Sequence, residues 1–100
     1  MKKEEIDLIL KWFWKKCRAK LLQPQNQRKT SWRELSTQKL MVRLSEETNE
    51  LRIALKVLKS CGKDEPRTKL LFRNDAIQEA THVANLAMKI ADKIRQEAPQ

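Results

Sequence analysis

The sequence predicts an all-α fold: a small antiparallel bundle of three to four helices, completed by oligomerisation. Three observations predict it. Apolar residues recur at spacings of three and four over three long stretches, the period of a helix with one buried face. No stretch alternates apolar and polar residues as a strand would. The breakers Pro24, Gly62 and Pro66 fall between the stretches, not inside them. The 100 residues make one domain, residues 1–100, with a core thin enough that association with a further chain is expected.

The first helix is expected over about residues 3–22, where Ile6, Leu10, Phe13, Cys17 and Leu21 form the stripe. Pro24 and the polar run Gln23–Ser31 end it. Trp12 and Trp14 flank the stripe, a large apolar content for one helix of so small a domain, which points to a homodimer through this helix. The second helix is expected over about residues 36–61. Ser36 can cap a free backbone N–H, Leu40, Leu44, Leu51, Ala54, Leu55 and Leu58 form the buried face, and Gly62 suits the left-handed position beyond the end. The third is expected over about residues 67–97, started by Pro66, with Asn74-Asp75 able to break it. Its stripe is Ile77, Ala80, Ala84, Ala87, Ala91 and Ile94, with small residues that permit close helix approach.

Composition removes several function classes. One glycine excludes the phosphate-cradling glycine-rich loops of P-loop and dinucleotide-binding folds. One histidine excludes multi-histidine zinc sites. Cys17 and Cys61 stand in helical patterns, not in a nucleophile elbow or at metal spacing, and read as reduced thiols of a cytoplasmic protein. No apolar run approaches the roughly 20 residues of a membrane span, so no membrane association is expected. The interrupted N-terminal stretch is not a signal peptide. Net charge is +9, and residues 1–45 carry most of it, with 12 basic against 4 acidic residues. Such an excess suits nucleotide phosphates, nucleic acid or an acidic surface, and equally describes a solvated lysine-rich face.

The informative segment lies inside the second helix. Glu47 and Glu50 are three apart, hence on one face, beside the stripe of Leu40, Leu44, Leu51 and Leu55. Like charges there repel unless they share a cation. On the third helix Glu79 and His82 are also three apart. If antiparallel packing joins the two pairs, three carboxylates and an imidazole make a divalent-metal site.

At these residues the sequence resembles the MazG-like all-α nucleoside triphosphate pyrophosphohydrolases. That family carries Glu-Glu-x-x-Glu on one helix and Glu-x-x-Asp on a later one. Glu46-Glu47-Thr48-Asn49-Glu50 matches the first motif, and Glu79-Ala80-Thr81-His82 matches the second except that His82 replaces the aspartate. The flanks are similar too: Leu44-Ser45 and Leu51 around the first motif, Val83-Ala84-Asn85-Leu86-Ala87-Met88 after the second, and Trp32-Arg33 upstream, so that the likeness covers about residues 29–95. The resemblance implies a dimeric or tetrameric helical bundle that holds magnesium and cleaves an NTP or dNTP to the monophosphate and pyrophosphate. It implies Glu47, Glu50 and Glu79 as metal ligands, with His82 in the fourth position. Glu46 would bind a metal through water or act as base on the attacking water. Lys29 and Arg33 would meet phosphates, Trp32 would stack on a base, and Asn85 would hydrogen-bond substrate. An imidazole at position 82 shifts the expected ion from magnesium toward manganese. The alternatives are a non-catalytic nucleotide-binding or regulatory module of the same kind, and a basic helical nucleic-acid-binding protein using Trp12, Trp14 and Trp32.

Overall fold

The computed structural model of the chain describes residues 1–27, 31–61 and 65–97. These residues are almost wholly helical, and no strand occurs among them. The elements are α1 (Lys3–Leu21), α2 (Pro24–Gln27), a 3-10 turn (Trp32–Glu34), α3 (Thr37–Ser60) and α4 (Pro66–Glu97). Ser36 caps α3 as its sequence position indicates: its Oγ accepts from the Lys39 N–H at 3.1 Å. Gly62 lies outside the described residues.

Two local expectations are corrected. Asn74-Asp75 does not break the third helix, and α4 runs unbroken for 32 residues. Each of those residues costs a helix interior less than about 1 kcal/mol, and packing of Phe72 and Ala76 on either side outweighs that. The polar run after α1 is not plain loop either. Pro24 opens the single turn of α2, where its missing N–H is no loss, and Asn26 Nδ2 donates to the Lys20 carbonyl at 2.6 Å, satisfying a group at the open end of α1.

α4 is the hub, since α3, α1 and the 3-10 turn all pack on it. Side-chain pairs join residue 33 to 92 and residue 47 to 82, so α3 and α4 run antiparallel. On α3 the residues withdrawn from solvent are Thr37, Leu40, Leu44, Glu47, Leu51, Ala54 and Leu58, a strict alternation of steps of three and four. The answering row on α4 is Phe72, Ala76, Glu79, Val83, Leu86, Ile90 and Lys93. This is the 3.5-residue seam of a helix pair packed side chain into gap. A glutamate stands mid-row on each helix, so one polar layer interrupts a ladder that is otherwise apolar apart from Thr37 and Lys93 at its end.

The seam differs from the sequence stripes. Leu55 is 51% exposed, and Ala87, Ala91 and Ile94 are exposed as well. Burial against α3 is decided by a row rotated from the alanines, because Phe72, Val83, Leu86 and Ile90 offer more apolar area. On α1 the expected stripe is covered only toward its C-terminal end. Phe13, Cys17 and Leu21 are half-buried, Ile6 and Leu10 are exposed, and α1 has no fully buried residue. It is tied to α4 by Asn85 Nδ2, which donates to the Cys17 carbonyl at 3.3 Å. Burial pushes the Cys17 thiol above its ordinary pKa, which lowers its thiolate fraction.

Candidate metal centre

The polar layer of the α3–α4 seam is the chemically unusual place in the molecule. Glu47 comes from α3, Glu79 and His82 from successive turns of α4. One ligand atom from each lies within 4.8 Å of the others. His82 Nδ1 is 3.3 Å from Glu47 Oε2 and 3.4 Å from Glu79 Oε2, but neither contact is a hydrogen bond. The three side chains are 22–28% exposed. Glu47 Oε2, Glu79 Oε2 and both ring nitrogens of His82 are buried without hydrogen-bond partners. Buried polar atoms are ordinarily paired, and leaving one unpaired costs about 1–3 kcal/mol. Three of them, one from each residue, lie close enough together to share a cation. The donor set of two carboxylates and one imidazole suits manganese better than magnesium, which favours oxygen alone.

The layer opens into a cleft of about 420 Å³ between α1, α3 and α4, within the usual size of a small-molecule site. Glu46, Glu47, His82 and Asn85 line it, and three cations join them: Lys20 from α1, Arg43 from α3 and Lys89 from α4. Two carboxylates and an imidazole beside three cations suit an anion that arrives with a metal ion. Neither Lys20, Arg43 nor Lys89 forms a motif in the sequence, because each comes from a different helix.

The structure brings together Glu47, Glu79 and His82 of the expected ligands, with Glu46 exposed at the rim. Glu50 stands outside the group. It is exposed and lines a neighbouring groove with Asp75, Gln78 and Glu79. The helical step of three that puts it on the same side as Glu47 also rotates it out of the seam. Asn85 reaches the cleft wall, but its amide N–H is engaged with α1. Lys29 lies outside the described residues.

Trp32 and Arg33, expected to meet substrate, both bond Asp92 of α4. The Trp32 indole N–H donates to Asp92 Oδ2 at 2.8 Å, and Arg33 grips the same carboxylate through Nε at 3.1 Å and Nη2 at 3.4 Å. Arg95 adds a third donor at 2.8 Å, and Lys93 donates to the Arg33 carbonyl. Asp92 is 8% exposed, and these bonds, Arg33 first, then Trp32 and Arg95, hold its carboxyl well below the usual carboxylate range. The arrangement clamps the segment before α3 onto the end of α4. Lys89 lies over the Trp32 ring, 5.5 Å from its centroid, and so links the clamp to the cleft. The sequence reading missed Asp92 because a single aspartate in a helix carries no spacing signal.

The chain matches no protein-family model, no curated protein and no solved structure. No helix among the described residues is long and apolar enough to cross a membrane.

Proposed function

We propose that the chain is a metal-dependent nucleoside triphosphate pyrophosphohydrolase of the MazG-like kind, active as a homo-oligomer, which converts an NTP or dNTP to the monophosphate and pyrophosphate. One observation carries the proposal: Glu47, Glu79 and His82 converge with one ligand atom each, and Glu47 and His82 line a cleft that also holds three cations. The motif resemblance at Glu46-Glu47-x-x-Glu50 and Glu79-x-x-His82 supports it from the sequence side.

Glu47, Glu79 and His82 would hold the ion, manganese in preference to magnesium. Such an ion supplies charge neutralisation to a triphosphate and lowers the pKa of water beside it. Lys20, Arg43 and Lys89 meet phosphate oxygens from three sides and fix the chain of phosphates along the cleft. Glu46, at the rim, holds a carboxylate where it can accept a proton from water. Glu50, outside the cluster, would reach such an ion only through water.

One observation favours a non-catalytic role instead. His82 Nδ1 sits almost equally far from two carboxylate oxygens. An imidazole placed between two carboxylates also fits a structural polar layer of a helix pair, with no ion.

The deciding experiment is an anion-exchange product assay over a panel of nucleoside triphosphates, with manganese and separately with magnesium, on the wild type and on Glu47→Gln. Monophosphate plus pyrophosphate, lost in the variant while its helical circular dichroism is kept, is the expected result. No turnover with either ion, and no manganese binding by calorimetry, rejects the enzyme in favour of the structural layer.

A further inference from the structure

The long helices treat their apolar faces differently. Those of α3 and α4 meet along the seam, but α1 has no buried residue, and none before Phe13 is withdrawn from solvent. Its ties to α4 lie in its C-terminal half: the Cys17 carbonyl meets Asn85, and Lys16, Lys20 and Leu21 share clefts with α4. Ahead of these, Leu8 is 68% exposed, Leu10 61% and Trp14 62%, and Ile6, Ile9 and Trp12 are exposed beside them. A single exposed leucine is ordinary, but six large apolar side chains between residues 6 and 14 make a patch.

The patch is organised. Ile6, Ile9, Phe13 and Cys17 form a row at steps of three and four, flanked by Leu10 and Trp12. Each member of the row stands two positions after a charged residue: Glu4, Asp7, Lys11 and Lys15. Two positions are about 200° round a helix, so the charged row runs along the opposite side. Along the axis, Glu4, Glu5 and Asp7 are confined to the first two turns, where the helix dipole favours them. From Leu8 to Leu21 there are five basic residues and no acidic one. Two of the cations lie over the tryptophans: Lys16 Nζ is 5.3 Å from the Trp12 ring centroid, and the Arg18 guanidinium carbon is 5.9 Å from that of Trp14.

We infer that α1 docks flat on an anionic lipid surface through Ile6–Trp14, with Lys11, Lys15, Lys16 and Arg18 on the headgroup phosphates. The apolar row enters the acyl boundary, the tryptophans sit at headgroup level, and the lysine stems reach back to the phosphates. The expectation of no membrane association rests on spanning length, and a helix lying in the interface needs no such length. Charge chooses among the occupants. Five cations without an intervening acid favour an anionic surface over a second copy of α1, which brings the same cations. A nucleic acid would engage the cations and rings but leave Ile6, Leu8, Ile9 and Leu10 in water. The contact does not depend on what the cleft binds.

Co-sedimentation of the full chain with phosphatidylcholine vesicles, with and without phosphatidylglycerol, tests it. The chain is expected to pellet with the anionic vesicles and to stay in solution with the neutral ones. Lys11→Ala combined with Lys15→Ala weakens binding roughly 25-fold, the product of two cations near an anionic surface. Leu10→Ser weakens it about tenfold, since its side chain enters the acyl boundary. All three positions are exposed, so both variants keep their helical circular dichroism. Lys56→Ala combined with Lys59→Ala on α3 leaves binding unchanged. Lipids brominated on their acyl chains give an independent reading: they quench the tryptophan fluorescence of the wild type. They do not quench a Trp12→Phe, Trp14→Phe variant, whose remaining Trp32 is bonded to Asp92. A chain that stays in solution with anionic vesicles overturns the inference. So does binding that Leu10→Ser leaves unchanged and bromine does not quench, which is adsorption of charge alone. A preference for single-stranded DNA over vesicles that survives Leu10→Ser overturns it as well.

Discussion

Two acidic centres on α4 are 13 residues apart, about 20 Å along the helix, and they are opposites. Asp92 is the more buried, and both its oxygens are taken by Trp32, Arg33 and Arg95. Glu79 is less buried, yet one of its oxygens faces a second carboxylate and an imidazole with no hydrogen bond to either. A buried carboxylate that is fully bonded fixes structure, because its desolvation is offset within the chain. A cluster left unbonded has its desolvation cost uncompensated within the chain. The 3-10 turn that the sequence offered for substrate contact is thus bonded to Asp92, and the proposed chemistry would fall to the unbonded centre.

The contrast can be broken most directly at Glu79. Glu79→Gln is expected to abolish manganese binding in calorimetry and to cost more than about 100-fold in turnover, since even outer-shell losses cost 10–100-fold. Its melting temperature is expected to hold or rise, because one of two like charges is gone. A melting temperature that collapses together with activity would make the layer structural, like Asp92.

His82→Asp sharpens the ion preference. It is expected to raise magnesium-supported turnover roughly tenfold and to narrow the manganese advantage, as an oxygen donor replaces nitrogen. Unchanged rates with both ions would put His82 outside the coordination. Arg43→Ala is expected to raise KM about tenfold with kcat little changed, the signature of a phosphate contact held equally in ground and transition states. A fall in kcat alone would contradict that.

The structural centre gives the mirror image. Asp92→Asn is expected to lower the melting temperature at pH 7 while manganese affinity stays within twofold. The sign of its pH dependence follows from the lowered carboxyl pKa of the folded state. Stability from Asp92 is complete above the ordinary carboxylate value of about 3.9 and is lost as pH falls below it toward the folded value. The gap in melting temperature between wild type and variant should therefore close as pH is lowered from about 4 to 2. A gap constant over that range would mean the carboxylate is not held by the clamp. The smallest effect is expected for Trp32→Phe, which keeps the ring and loses one hydrogen bond, for a drop of about 4–8 °C in a thermal melt.

By itself the sequence determined the three long helices, their ends and the residues most able to hold a cation. Helical period, Pro24, Pro66 and Ser36 act within a turn or two of their own position, so they are legible without knowing the fold. Glu47, Glu79 and His82 were legible for the same reason, as charges and an imidazole beside apolar stripes at helical spacing. Only the tertiary structure decided which face of each helix the seam would take. Leu55 and the alanines of α4 match the period as well as Leu51 and Val83 do, and a rotation of one residue step separates a seam position from an exposed one. That rotation put Glu47 inside and Glu50 outside. It also gave Asp92 its three donors from two separate elements, and it drew Lys20, Arg43 and Lys89 around one cleft. Contacts between residues tens of positions apart depend on how helices dock, and the pairing energy that fixes the docking is shared along the whole seam instead of residing in any one motif.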